Sequence, residues 1–88
     1  MRSIPKSVRQ AVTTRDSIDG CPCCIYCGKP FPNGGEHLHH ITRRSQLGQD
    51  IEENLVTLCY ECHILGIHSR ADQDIITYCK DYLERIYR

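Results

Sequence analysis

Cys24-Ile-Tyr-Cys27 and Cys59-Tyr-Glu-Cys62 constrain the fold of this chain more than any other feature. Two thiolates separated by two residues on a tight turn grip one tetrahedral ion, and two such pairs supply a closed four-cysteine zinc site. The chain has 88 residues, and a chain this short has difficulty burying enough apolar surface to offset its conformational entropy. A structural Zn2+ remedies that shortage, because the free energy of binding metal becomes free energy of folding. The rival framework is a secreted disulfide scaffold. Against it stand an odd cysteine count of 7, the CxxC spacing, and an N-terminus, Met1-Arg-Ser-Ile-Pro-Lys-Ser-Val-Arg, without the apolar stretch of a signal peptide. No apolar run approaches the ~20 residues that a membrane span needs. The expectation is a reduced, cytoplasmic protein, residues 1–88 forming one domain with its core motif over 21–69.

Formal net charge is +0, with 11 basic and 11 acidic residues. A dedicated nucleic-acid binder is usually more basic. Arg2, Lys6, Arg9 and Arg15 crowd the N-terminal segment, Arg43 and Arg44 lie mid-chain, and acidic residues gather from Asp50 onward. Charge therefore permits a nucleic-acid partner without demanding one.

Val8, Ala11 and Val12 recur at helical spacing behind Pro5, so residues 5–16 read as a short helix. Residues 17–23, with Gly20 and Pro22, read as a loop. Gly28 after Cys27 permits a positive-φ turn that aims backbone amides at the sulfurs. His37 to Thr42 reads as a strand, Gln46 to Glu53 as a loop, and a helix is expected from Cys62 to about Leu65. Residues 71–87 read as a second helix, with Ile75, Ile76, Cys79, Leu83 and Ile86 on one face. Cys79 is expected to pack in the core.

The order Cys-x-x-Cys-Gly, then His39-His40-Ile41, then Asn54-Leu-Val-Thr-Leu-Cys59-Tyr-Glu-Cys62-His63, then a further histidine, resembles the HNH endonuclease family, in particular its small stand-alone phage and bacterial members. The resemblance implies a small α+β fold of the ββα-metal (His-Me finger) type, with a four-cysteine structural zinc site and flanking helices at each end. It implies phosphodiester hydrolysis in DNA, by nicking or double-strand cleavage, with one catalytic divalent metal: Mn2+, Ni2+, Mg2+ or Zn2+. Cys21 and Cys24 also form a CxxC with Cys23 between, but only Cys27 is followed by Gly-Lys-Pro-Phe, which resembles the family knuckle. Cys24, Cys27, Cys59 and Cys62 are therefore the expected zinc ligands, and Cys21 and Cys23 spare, solvent-facing thiols. By the same resemblance His40 is the general base, His39 and His63 bind the catalytic metal, and Asn54 ties the following loop to the strand that carries the base. His37 shares the face of His39 by strand alternation and could support the ligands, but is expected rather at the solvent surface. Arg43 or Arg44 is placed to hold the scissile phosphate, Arg43 being the expected catalytic residue.

His68 is the difficult ligand. It lies five residues after His63, and at ~100° per residue a regular helix would splay the two about 140° apart. Gly66 between them could break the helix or allow a π-bulge. The competing readings are a non-catalytic zinc module that binds nucleic acid or protein, and a degenerate HNH subunit whose last helix, with Tyr78, Tyr82 and Tyr87, meets a partner or a second copy in a homodimer.

Overall fold

Pro5 caps the first helix, α1 (Lys6–Arg15), with φ −54°, and its carbonyl accepts from the Arg9 N–H at 3.0 Å. The computed structural model describes residues 3–87; Met1, Arg2 and Arg88 lie outside them. Residues 17–23 are not the expected loop. They hold a miniature hairpin, β1 (Ser17–Ile18) against β2 (Cys21–Pro22), turned by Asp19 and Gly20 at φ 53° and 81°. Two consecutive positive-φ residues give the turn whose twist matches paired strands, and Asp-Gly is a favoured pair for it.

The central hairpin is β3 (His37–His40) antiparallel to β4 (Leu55–Leu58), with His37 opposite Leu58, His39 opposite Val56 and His40 opposite Leu55. The first strand stops two residues short of the expected Thr42, where Asn54 takes over its backbone. All four residues of β4 are buried, because both of its faces are covered. Alternation sends successive side chains to opposite sides. Leu55 joins Val12 and Leu38 under α1, while Val56 and Leu58 join Phe31, the buried cysteines, Ile67, Ile75 and Leu83.

The segment after β4 differs from expectation in kind. Glu61–Ser69 is a π helix of nine residues, rather than a regular helix that begins at Cys62. Its i→i+5 ring sets residues five apart on adjoining turns of one face. Cys62 and Ile67 are both buried and form its core stripe, and His63 and His68 form the next stripe. Gly66 lets a neighbour close in: a Cβ there would lie 2.6 Å from the Ile75 Cδ1 atom. The π helix ends where Ala71 turns left-handed (φ 49°) and the Asp72 N–H donates to the Gly66 carbonyl at 3.0 Å. Asp72 then caps α2 (Gln73–Ile86), its carboxylate accepting from the N–H groups of Asp74 and Ile75, so this helix starts two residues later than its apolar pattern suggested.

One polar knot binds α1, β4 and α2. Asp16 is buried and accepts from Arg15 at 2.8 and 3.0 Å, from the Thr57 N–H at 2.9 Å and from the Tyr82 hydroxyl at 2.5 Å. Arg15 also donates to the carbonyls of Glu52 and Leu55, each at 2.7 Å. Burial disfavours the guanidinium, but its bond to Asp16 outweighs this and holds it charged. Burial and the Asp16 carboxylate together push the Tyr82 hydroxyl up, keeping it a donor. Among the described residues no helix is long and apolar enough to cross a membrane.

Candidate metal centre and cleft

The sulfurs of Cys24, Cys27, Cys59 and Cys62 lie within 4.8 Å of one another, and those of Cys27 and Cys59 are 3.5 Å apart. A tetrahedron with zinc–sulfur bonds of about 2.3 Å sets sulfurs about 3.8 Å apart, so the cluster is sized for the ion. Each pair sits on a turn that offers amides to sulfur: the Cys27 N–H donates to Cys24 Sγ at 3.5 Å and the Cys62 N–H to Cys59 Sγ at 3.4 Å. Gly28, at φ 83°, makes the first of these turns possible and donates to the Cys24 carbonyl at 2.9 Å. Burial pushes the thiols of Cys59 and Cys62 up, and neighbouring sulfurs push Cys62 further. Buried sulfurs that resist ionising without a counter-charge belong to a donor set that a divalent cation relieves. Cys21 and Cys23 stand outside the cluster. Cys23 is buried, with its Sγ 3.2 Å from the Cys21 carbonyl, and is not the solvent-facing thiol expected of it.

A second group forms one step further along the π helix. The ring nitrogens of His39, His63 and His68 converge within 4.8 Å, and the Nε2 atoms of His63 and His68 are 3.1 Å apart. The five-residue interval therefore closes the set instead of splaying it, since the helix advances by five. Burial depresses His39 to about 4, helped by the charges of His68, His40 and Arg43. Burial likewise depresses His63 to about 3, with His39, His68 and His37 adding to it. At neutral pH both rings are neutral, the form that coordinates metal. The three imidazoles thus fit a divalent ion in spacing and in protonation.

The histidines open into a cleft of about 260 Å³, lined also by Leu38, His40, Arg43 and Arg44. A wider depression of about 570 Å³ beside Leu47 and Gln49 meets it at Arg44. His40 Nε2 lies 2.7 Å from Asp50 Oδ1, and Arg44 grips the same carboxylate at 3.1 and 3.2 Å. Arg43 is exposed and makes no ion pair among the described residues. Asn54 accepts from the Thr42 N–H at 2.8 Å and donates to the carbonyls of Thr42 and Gln49 at 3.0 and 2.9 Å. It therefore closes the loop that follows His40. Gly48 packs so tightly on this loop that an added Cβ would overlap the Thr42 carbonyl.

Asp50 has no expected role at the site, and His37, a candidate to support the metal ligands, is expected rather at the surface. Asp50 reads as one of many acidic residues, although a carboxylate ten positions after a candidate base is within loop reach of it. His37 is half-buried, not surface-lying: its Nδ1 is 3.0 Å from His63 Nδ1 and its ring stands edge-on to Tyr60. The alternation His37/His39 places both on the same side of β3, which is what brings His37 to His63.

The fold and the two clusters define a small α+β protein with four cysteines positioned to bind a metal and a separate centre built of histidines. Residues 24–65 match the family model for HNH endonuclease. The match takes in both cysteine pairs, His39, His40, Asn54 and His63, and ends before His68. No curated protein matches the chain.

Proposed function

We propose that this protein is a metal-dependent endonuclease that hydrolyses phosphodiester bonds in DNA, its hairpin β3–β4 and π helix acting as a ββα-metal unit stapled by zinc. The observation that carries the reading is the convergence of His39, His63 and His68 beside His40 and Arg43 in one cleft, within and just beyond the stretch that matches the HNH endonuclease family.

His39, His63 and His68 would hold a divalent ion, which supplies positive charge to polarise the scissile phosphate and stabilise the departing 3′ oxygen. His40 takes the proton of the attacking water, an imidazole being suited to that exchange near neutral pH. A nitrogen that donates to Asp50 cannot at the same moment accept a proton. With Nε2–H on Asp50, the lone pair of His40 is on Nδ1, and the carboxylate steadies the imidazolium that forms. Asn54 keeps the loop after the base in place without touching the substrate. Arg43, unpaired with any carboxylate among the described residues, binds the phosphate, whereas Arg44 serves Asp50. The products carry 5′ phosphate and 3′ hydroxyl. An all-imidazole set suits Mn2+ or Ni2+ better than Mg2+, which prefers oxygen.

Nicking of supercoiled plasmid with Mn2+, Ni2+, Mg2+ or EDTA tests the reading, with His40→Ala purified in parallel. Metal-dependent nicking that vanishes in His40→Ala is expected. Folded, zinc-loaded protein that cuts with no metal would overturn the proposal, and activity with Mg2+ alone would contradict the ligand set.

A further inference from the structure

We infer that His37 is a positioning residue for the histidine metal centre, holding His63 so that its Nε2 alone faces the ion. The inference rests on the metal centre of the proposed endonuclease, though not on its cutting DNA. His63 is flanked on both ring nitrogens: its Nε2 is 3.1 Å from His68 Nε2, and its Nδ1 is 3.0 Å from His37 Nδ1. A neutral imidazole has one donor and one acceptor nitrogen. When Nε2 gives its lone pair to a metal, the proton must sit on Nδ1, and His37 Nδ1 then accepts it. His37 in turn carries its own proton on Nε2. The His37 ring is held by the strand and by the edge-on contact with Tyr60 at a centroid distance of 6.0 Å. His37 is thus anchored on β3, while Tyr60 stands at the start of the π helix that bears His63, so the contact ties strand to helix. Such an anchor matters here because His63 and His68 meet only through the rare five-residue winding of this helix. Partners of this kind fix the tautomer and ring orientation of a ligand, and their loss typically weakens metal binding roughly 10–100-fold.

Co2+ titration of the full, zinc-loaded chain tests this by visible absorption, the absence of a thiolate-to-cobalt charge-transfer band showing that zinc keeps the cysteine site. His37→Ala and His37→Phe should each weaken Co2+ binding roughly 10–100-fold with melting temperature little changed. The phenyl ring keeps the contact with Tyr60 but has no acceptor. His37→Asn, whose carbonyl oxygen falls where Nδ1 was, should restore most of the affinity. Equal affinity in all three variants, with binding lost in His63→Ala, would overturn the role of His37 alone. Wild-type affinity in His37→Phe would assign the effect to packing and equally overturn it. Wild-type protein that takes up no Co2+ beyond the cysteine site would remove the centre and the inference together. A chain that binds Co2+ as described but never nicks plasmid would leave the inference standing and sink the endonuclease reading.

Discussion

Cys62 and His63 are neighbours in sequence, yet they serve clusters built on opposite principles. Three of the four cysteines lie inside the main core, packed with Val56, Leu58 and Ile75, so metal and apolar packing stabilise one another there. The three histidines grade from buried His39 through half-buried His63 to exposed His68 and face a cleft. The comparison teaches where each metal's free energy goes. At the cysteines an ion would add to folding; at the proposed histidine centre it would be available for chemistry, because the buried core lies with the cysteines.

The sharpest way to break this comparison is to remove one ligand from each side. Cys59→Ser should forfeit much of a structural zinc's apparent binding energy, ~10–16 kcal/mol in small domains, and leave the chain unfolded. Circular dichroism and zinc content report it, and a folded Cys59→Ser would erase the distinction. His40→Ala should keep its melting temperature and lose roughly 10²–10⁴-fold in cleavage rate. An unfolded His40→Ala would show that the cleft, too, is structural.

Smaller effects sharpen the boundary between the regions. Tyr82→Phe withdraws a hydroxyl from the buried Asp16 carboxylate and should cost about 1.5–3 kcal/mol. Thermal melts would then fall without any change in Co2+ affinity at the histidines. The smallest effect is on pH dependence. His39 and His63 titrate in the folded protein at about 4 and about 3, against 6.5 for an ordinary ring. Between those values the unfolded chain binds more protons than the folded one, so stability from this source is complete above pH ~6.5 and declines as pH falls toward 4 and then 3. Urea midpoints of zinc-loaded protein, with no metal on the histidines, should drop from pH 7.5 to pH 5.5. The drop should be shallower in His39→Asn, which has no ring to protonate, and equal slopes would contradict the burial assigned to His39.

The parts of this molecule that were legible in sequence are those set by ligand chemistry and short spacing. CxxC, His39-His40 and Asn54 each carry a local pattern, and the structure gathers the cysteines into one group and His39, His63 and His68 into another. The hairpin at 17–22 was readable in principle, since Asp19-Gly20 is a strong turn signal, but strands of two residues have no periodicity to announce them. The knot of Arg15, Asp16, Glu52, Tyr82 and Tyr87 was not readable, because its bonds join residues up to 72 positions apart and depend on three elements meeting. The π helix was legible only as one alternative, a bulge at Gly66, because a regular period was the default for the segment. Cys62/Ile67 and His63/His68 both step by five, and a regular helix cannot keep either pair on one side.

That shared step makes the helix a phase-locked segment. Leu65 is 42% exposed, and a chain lacking it would shorten both intervals from five to four at once, returning core and ligands together to the beat of an ordinary α helix. One inserted residue can thus be absorbed as a change of winding, with no rewiring of what the helix touches. The identity of such a centre resides in angular position around an axis, and a search template written as a fixed gap between histidines would pass over a chain like this one.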